Sequence, residues 1–335
     1  MHAVQLDTPA PISESPLHGR TVDRPEPGPG QLVIDVAGCG VCRSNLHMIE
    51  GDWVEGGAPG ISPIIPGHEV TGRVTAIGEG VTGFAIGDPV GVQPIWSTCL
   101  VCEFCTSNRE QLCHARIVTG EHVDGGYADA MLTVAEHTYH VPDNLDLVDA
   151  APLFCPGITA YGAIERLQLQ PGDTVAVFGL GGVGHMAVQF AALTGATVVA
   201  VGRNEEHLQV ARELGAARTV DTRDPEAVHA LEDSVDAVVT FAPSDEVSEM
   251  ALAALKWGGA MVTGVPLNIR DFPFNKAQTI HASILGSRAQ MRTVLRLAAE
   301  GKVRTVVEHF PLDEAVEVLQ RLERGELRSR AVLTP

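Results

Sequence analysis

Residues 171–201 read P-G-D-T-V-A-V-F-G-L-G-G-V-G-H-M-A-V-Q-F-A-A-L-T-G-A-T-V-V-A-V. A β-branched run over Thr174–Phe178 feeds Gly179-x-Gly181-x-x-Gly184, an apolar helical stretch follows, and a second β-branched run starts at Thr197. A bare G-x-G-x-x-G is weak evidence. Framed by strand before and helix plus strand after, at the length of one βαβ unit, it marks a dinucleotide-binding fold. The glycines let backbone approach a pyrophosphate, and the helix N-terminus stabilises its charge. Gly179, Leu180, Gly181, Gly182, Val183 and Gly184 are therefore the first candidate binding residues. A glycine-rich turn without a ligand is the bland alternative, and the framing argues against it.

C-terminal to this unit, the second strand ends in Gly202-Arg203-Asn204, where an acid gripping a ribose 2′-hydroxyl is expected. A small residue beside an arginine leaves room and charge for a 2′-phosphate. That favours NADP, with Glu205 near enough to keep NAD possible. Strand 234–241, amphipathic helix 244–256, strand 259–265 and strand 282–287 continue the alternation. It indicates a doubly wound parallel sheet from about 153 to 288. Residues 289–335 read as helices and a last strand, expected to return to the first domain, 1–152, and complete it.

That first domain reads as β up to residue 92, with short runs broken by glycines that suit a small, curved antiparallel sheet. Within it, 38–69 carries G-C-G-V-C-R-S-N-L-H and then G-H-E. Catalytic zinc wants three N or S ligands and one open position. Cys42 and His68 supply two. The third comes from cysteine counting. Cys99, Cys102, Cys105 and Cys113, at C-x2-C-x2-C-x7-C, fit a closed structural zinc site. An iron–sulfur cluster is the rival, but the C-P ending of such runs is missing. A structural zinc adds roughly 10–16 kcal/mol of apparent binding energy to folding and would pin a lobe poor in apolar residues. Cys39 and Cys155 remain. Cys39 could ligate only a purely local site, whereas Cys155 falls where the β region gives way to the second domain, so Cys155 is chosen.

A chain of 335 residues, 45% of them apolar, is long enough for two cores. A formal charge of −19 has the wrong sign for nucleic acid or anionic membrane. No apolar run reaches the ~20 residues of a membrane span. The N-terminus lacks a signal-peptide pattern, so a cytoplasmic location is the expectation, and seven cysteines there read as metal or catalytic residues. Strands late in the nucleotide domain could pair across a two-fold axis, so a homodimer or homotetramer is expected.

Four motifs carry a resemblance over essentially the whole chain: G-V-C-R-S-x-L-H at 40–47, G-H-E-x2-G-x5-G-x2-V at 67–81, C-P-G-I-T-A-Y-G at 155–162 and G-L-G-G-V-G at 179–184, together with the four-cysteine lobe. The chain resembles the zinc-containing medium-chain alcohol dehydrogenases. The resemblance implies an α/β chain with a mostly-β GroES-like catalytic domain and a Rossmann domain. It also implies two zincs, with Cys42, His68 and Cys155 on the catalytic one, and Glu69 as a nearby or exchanging ligand. Ser44 would touch the substrate oxygen and His47 would end a proton relay. Arg43 and Arg330 would lie near the pyrophosphate, Thr159 near the nicotinamide, and Gly264-Val265 along its border. Trp53, Trp96 and Ile284 are pocket walls by analogy only.

One departure stands out. Where the family has an aspartate that accepts a hydrogen bond from the zinc-bound imidazole, this chain has Asn45. Asparagine can accept but brings no charge. The expected reaction is hydride transfer between NADP(H) or NAD(H) and an alcohol, aldehyde or ketone. The rivals are a reductase of activated, cinnamyl-type aldehydes and a non-catalytic nucleotide-binding protein that kept the fold.

Overall fold

The computed structural model describes Met1–Pro335. The chain divides into two compact units, one of Met1–Cys155, Ser287–Ala299 and Thr305–Pro335, the other of Pro156–Gly286 with Glu300–Arg304. No single helix is long and apolar enough to cross a membrane.

The first unit is built on Gln31–Gly40, a strand whose apolar side chains are buried on both faces while Asp35 is exposed. It pairs antiparallel with Glu69–Ile77, with Gly40 opposite Glu69, and with Arg330–Thr334, with Val332 opposite Gly40. This register matters for chemistry. It delivers Cys42, His68, Glu69 and Arg330 to one end of the sheet. Pro89–Val92 and Thr138–His140 extend the sheet on one side, and Val307–Pro311 closes the other. Leu32, Ile34, Val70, Val74, Val90 and Val92 fill the core, and Val318 and Leu319 of the late helix Ala315–Arg324 complete it.

The expectation that everything before residue 92 is β fails at Arg43–Glu50, which is an α-helix. Leu46, Met48 and Ile49 turn one face of it into the core, and Gly51 ends it in the left-handed conformation. Eight residues give too few turns for the 3.6-residue period to show against the flanking β patterning.

The second unit is a six-stranded, wholly parallel sheet in the order Arg218–Asp221, Thr197–Gly202, Thr174–Phe178, Val235–Thr240, Leu255–Thr263, Thr279–Ala282. The strand order reverses beside Thr174–Phe178, the position at which such sheets bind ligands. Two boundaries differ from the sequence expectation. The helix Asp245–Ala254 stops before Leu255, which is fully buried and pairs with Val235 as a strand residue. The last strand is Thr279–Ala282 rather than 282–287, because Leu285 has φ of +49°, incompatible with extended backbone.

Candidate active site

Cys42 caps the start of the helix Arg43–Glu50, His68 directly precedes the strand Glu69–Ile77 that Glu69 opens, and Cys155 follows the 3-10 turn Ala151–Phe154. All four are buried, and one donor atom from each lies within 4.8 Å of the others. Cys42 Sγ and Cys155 Sγ are 3.8 Å apart. Tetrahedral zinc with Zn–S bonds of ~2.3 Å requires S···S separations of about 3.8 Å. His68 Nε2 is buried and has no hydrogen-bond partner, an orphan that a metal would satisfy. The donor set fits zinc. Cys39 is not part of the group; its thiol points toward the Gly40 carbonyl, and burial pushes it well above the ordinary thiol range.

The electrostatics of the group follow from burial and partners. The Cys155 thiol holds Cys42 well below the ordinary range by hydrogen bonding to it, against the effect of burial, so Cys42 is the thiolate of the pair. Glu69 is fully buried, which pushes its carboxyl up to about 7 even though Arg330 pulls it down. Burial works to lower His68, but Cys42 and Glu121 outweigh it and the ring is raised to about 10. A metal bound through His68 would take the place of a proton, and its uptake would depend on pH.

Beside this group, Ser44 Oγ lies 3.5 Å from Cys42 Sγ. His47, three residues further along the helix, is bound through Nδ1 to Asp52 Oδ2 at 2.7 Å and is partly exposed. The Trp53 ring lies 5.9 Å from it, centroid to centroid.

Cys99, Cys102, Cys105 and Cys113 form a second group, with S···S distances of 3.9 Å (Cys99–Cys105), 3.5 Å (Cys102–Cys105) and 3.6 Å (Cys99–Cys113). Backbone N–H groups of Val101 and Cys102 bring Cys99 down to about 6, as a thiolate ligand needs. The sequence reading missed what anchors this lobe. Glu110, buried within it, accepts from the backbone and guanidinium of Arg288 at 2.7 and 3.0 Å. An isolated glutamate and arginine 178 positions apart give no sequence signal.

In the second unit the glycine loop is shaped as the motif requires. Gly179 has φ of +86°, and a Cβ added at Gly184 would sit 2.0 Å from the Gly179 carbonyl oxygen. Gly181 caps the helix Gly182–Leu193 with no side chain, so no side chain engages its first amides. Leu180 is buried, while Gly182 and Val183 are half-buried. At the end of Thr197–Gly202, Arg203 is exposed, Asn204 caps the next helix by accepting from Glu206 N at 2.9 Å, and Glu205 is engaged by Arg212 at 2.7 Å. Thr159 Oγ1 is buried and unpartnered. Gly264 and Val265 follow the strand Leu255–Thr263, with Val265 N donating to Thr263 Oγ1 at 3.1 Å.

Known proteins share this combination. The profile of the alcohol dehydrogenase GroES-like domain matches residues 28–143, and that of the zinc-binding dehydrogenases matches 182–300. An alcohol dehydrogenase of Geobacillus stearothermophilus is 37% identical over 329 residues, 96% of each chain. The chain belongs to the zinc-containing medium-chain alcohol dehydrogenases. An aldehyde reductase of Synechocystis is 35% identical over 92% of each chain. The crystal structure of the alcohol dehydrogenase from the archaeon Aeropyrum pernix matches with a TM-score of 0.92 at 33% identity over 100% of both chains. Membership makes the chain a zinc-dependent, NAD(P)-dependent oxidoreductase of alcohols and aldehydes.

Against the family pattern, several residues have informative positions. Arg43 is exposed and donates to the carbonyls of Leu322 and Glu323, at 3.0 and 3.4 Å, at the C-terminal end of the last helix. Arg330, assigned by resemblance to the pyrophosphate, is buried with Nε 3.1 Å from Glu69 Oε2 and Nη2 bonded to Glu69 Oε1. Trp96 Nε1 donates to the Leu132 carbonyl at 3.4 Å, and Ile284 is exposed. Asn45 is fully buried with its amide against His68.

Proposed function

We propose that this chain interconverts alcohols with their aldehydes or ketones, with NADP preferred over NAD, at a zinc held by Cys42, His68 and Cys155. The observation that carries the ligand reading is the pair of sulfurs at tetrahedral spacing beside an orphaned imidazole nitrogen. Zinc, when bound, supplies Lewis acidity toward a hydroxyl or carbonyl oxygen. The four-cysteine lobe holds a second, structural zinc.

The chain's own residues move the proton. Ser44 Oγ, close to Cys42 Sγ, accepts the proton that a substrate hydroxyl gives up as it passes its own hydroxyl proton on toward His47. His47 lies on the same helical face and is partly exposed, and with Nδ1–H donated to Asp52 its Nε2 is left to accept. Glu69, paired with Arg330, stands beside the metal ligands and leaves the open position to substrate.

The NADP preference rests on three features at the end of Thr197–Gly202. Gly202 brings no side chain, Arg203 is exposed, and the nearest acid, Glu205, is paired to Arg212. A homodimer or homotetramer belongs to the same reading. Thr279–Ala282 is the last strand of its sheet and is mostly exposed, with the exposed Phe272, Phe274 and Ile284 close in sequence.

Initial rates on a panel of aliphatic and cinnamyl-type aldehydes, with NADPH and NADH in parallel, test the proposal. NADPH is expected to give the higher kcat/KM. Arg203→Ala should cost NADPH about 10–100-fold, the worth of one or two hydrogen bonds to a charged group, and leave NADH nearly unchanged. Equal or better rates with NADH would overturn the cofactor assignment.

A further inference from the structure

We propose that Glu121 is the carboxylate that orients the His68 imidazole, taking the role vacated by the aspartate that Asn45 replaces. The inference rests on the zinc ligands proposed above.

Asn45 and Glu121 lie at His68 Nδ1, which leaves the buried, unpartnered Nε2 for the metal, so Nδ1 carries the ring hydrogen and needs an acceptor. Two side chains face it. Asn45 Nδ2 lies 3.4 Å from Nδ1, but an amide nitrogen accepts nothing, and Asn45 Oδ1 is buried without a partner. Glu121 Oε1 lies 3.7 Å from Nδ1, a distance that a small side-chain rotation closes to a charged hydrogen bond. The Glu121 side chain is only 12% exposed, and no other cation meets it. A carboxylate so largely withdrawn from water is costly unless positive charge stands beside it. The imidazole, with zinc behind it, is that charge.

Backbone geometry explains how a loop residue gets there. Gly120 has φ of +69° in a turn closed by Gly120 N donating to Val123 O at 2.8 Å. It lies directly on Gly67, the residue before His68, so close that a Cβ on Gly120 would be 2.7 Å from Gly67 N. Glu121 O accepts from Gly60 N at 2.7 Å, and Gly126 N donates to Gly67 O at 3.0 Å, so the loop is tied on both sides. Two glycines in contact let position 121 reach the ring.

The competing arrangement turns the Asn45 amide over, so that Oδ1 alone accepts from Nδ1. Wild type, Glu121→Gln and the double variant Asn45→Asp/Glu121→Gln distinguish the two. Zinc-loaded enzyme is titrated with the chromogenic chelator 4-(2-pyridylazo)resorcinol, and the visible spectrum of the cobalt-substituted protein is recorded. Wild type should hold two metals. Glu121→Gln should release one of them at about 10–100-fold lower chelator, the usual worth of such a ligand-supporting group, and keep the other. Its cobalt bands should shift, and the double variant should restore both readouts. A Glu121→Gln curve coincident with wild type would leave the amide as sufficient and overturn the inference. So would loss of both metals with the fold, which would make Glu121 a scaffold residue, and so would failure of the relocated carboxylate to rescue. A wild-type chain holding one zinc would instead sink the ligand assignment beneath it.

Discussion

Two glycines of the nucleotide loop, each changed to alanine, separate what the fold needs from what the dinucleotide needs. At Gly184 the added Cβ meets the Gly179 carbonyl oxygen at 2.0 Å, and strand end and helix must part by about 1.4 Å to restore ordinary contact. Overpacking of this kind costs about 1–3 kcal/mol. Gly184→Ala should therefore lower the melting temperature of the cofactor-free protein by several degrees. At Gly181 the added Cβ meets nothing within 4 Å, so Gly181→Ala should leave that melting temperature unchanged. Yet Gly181 stands where backbone must approach a pyrophosphate. A methyl group there removes at least one hydrogen bond to a charged oxygen, worth about 1.5–3 kcal/mol, or about 10–100-fold in dissociation constant. Fluorescence titration with NADPH reads the second effect and thermal melting the first. If Gly181→Ala binds NADPH like wild type, the phosphate does not lie on this loop and the reasoning is refuted.

Three further outcomes are expected. Cys105→Ser should lose the structural zinc alone, leaving one zinc per chain by metal analysis, and should expose 99–113 to limited proteolysis. Arg330→Met strands the buried Glu69 and should cost about 3–5 kcal/mol in denaturant unfolding, most of it recovered in Arg330→Met/Glu69→Gln; strictly additive costs would deny the pair. His137 is buried, which pushes its ring from 6.5 down to about 4 with help from Arg288. The unfolded chain then binds the proton more readily, so stability is full above pH 6.5 and lost as pH falls toward 4, by about 3 kcal/mol in all. Melting curves across that range should show the loss, and His137→Gln should flatten it.

The sequence alone determined the elements whose information is local. Thr174–Phe178 and the glycines after it lie within one βαβ unit, and the four cysteines lie within fifteen residues, so spacing exposes both. Cys155 was singled out by elimination, since thiols are few and each needs a reason. The helix Arg43–Glu50 was not legible, being shorter than the window that periodicity requires.

Tertiary structure alone decided what surrounds the proposed metal ligands. Arg330 meets Glu69 across 261 positions, because the last strand pairs antiparallel with Gln31–Gly40 and that strand with Glu69–Ile77. Glu121 meets His68 because one turn lies on Gly67. Such contacts are fixed by strand register and by backbone packed against backbone. No side chain announces either from its own neighbourhood in the chain, so a motif can propose the ligands while the fold chooses their partners.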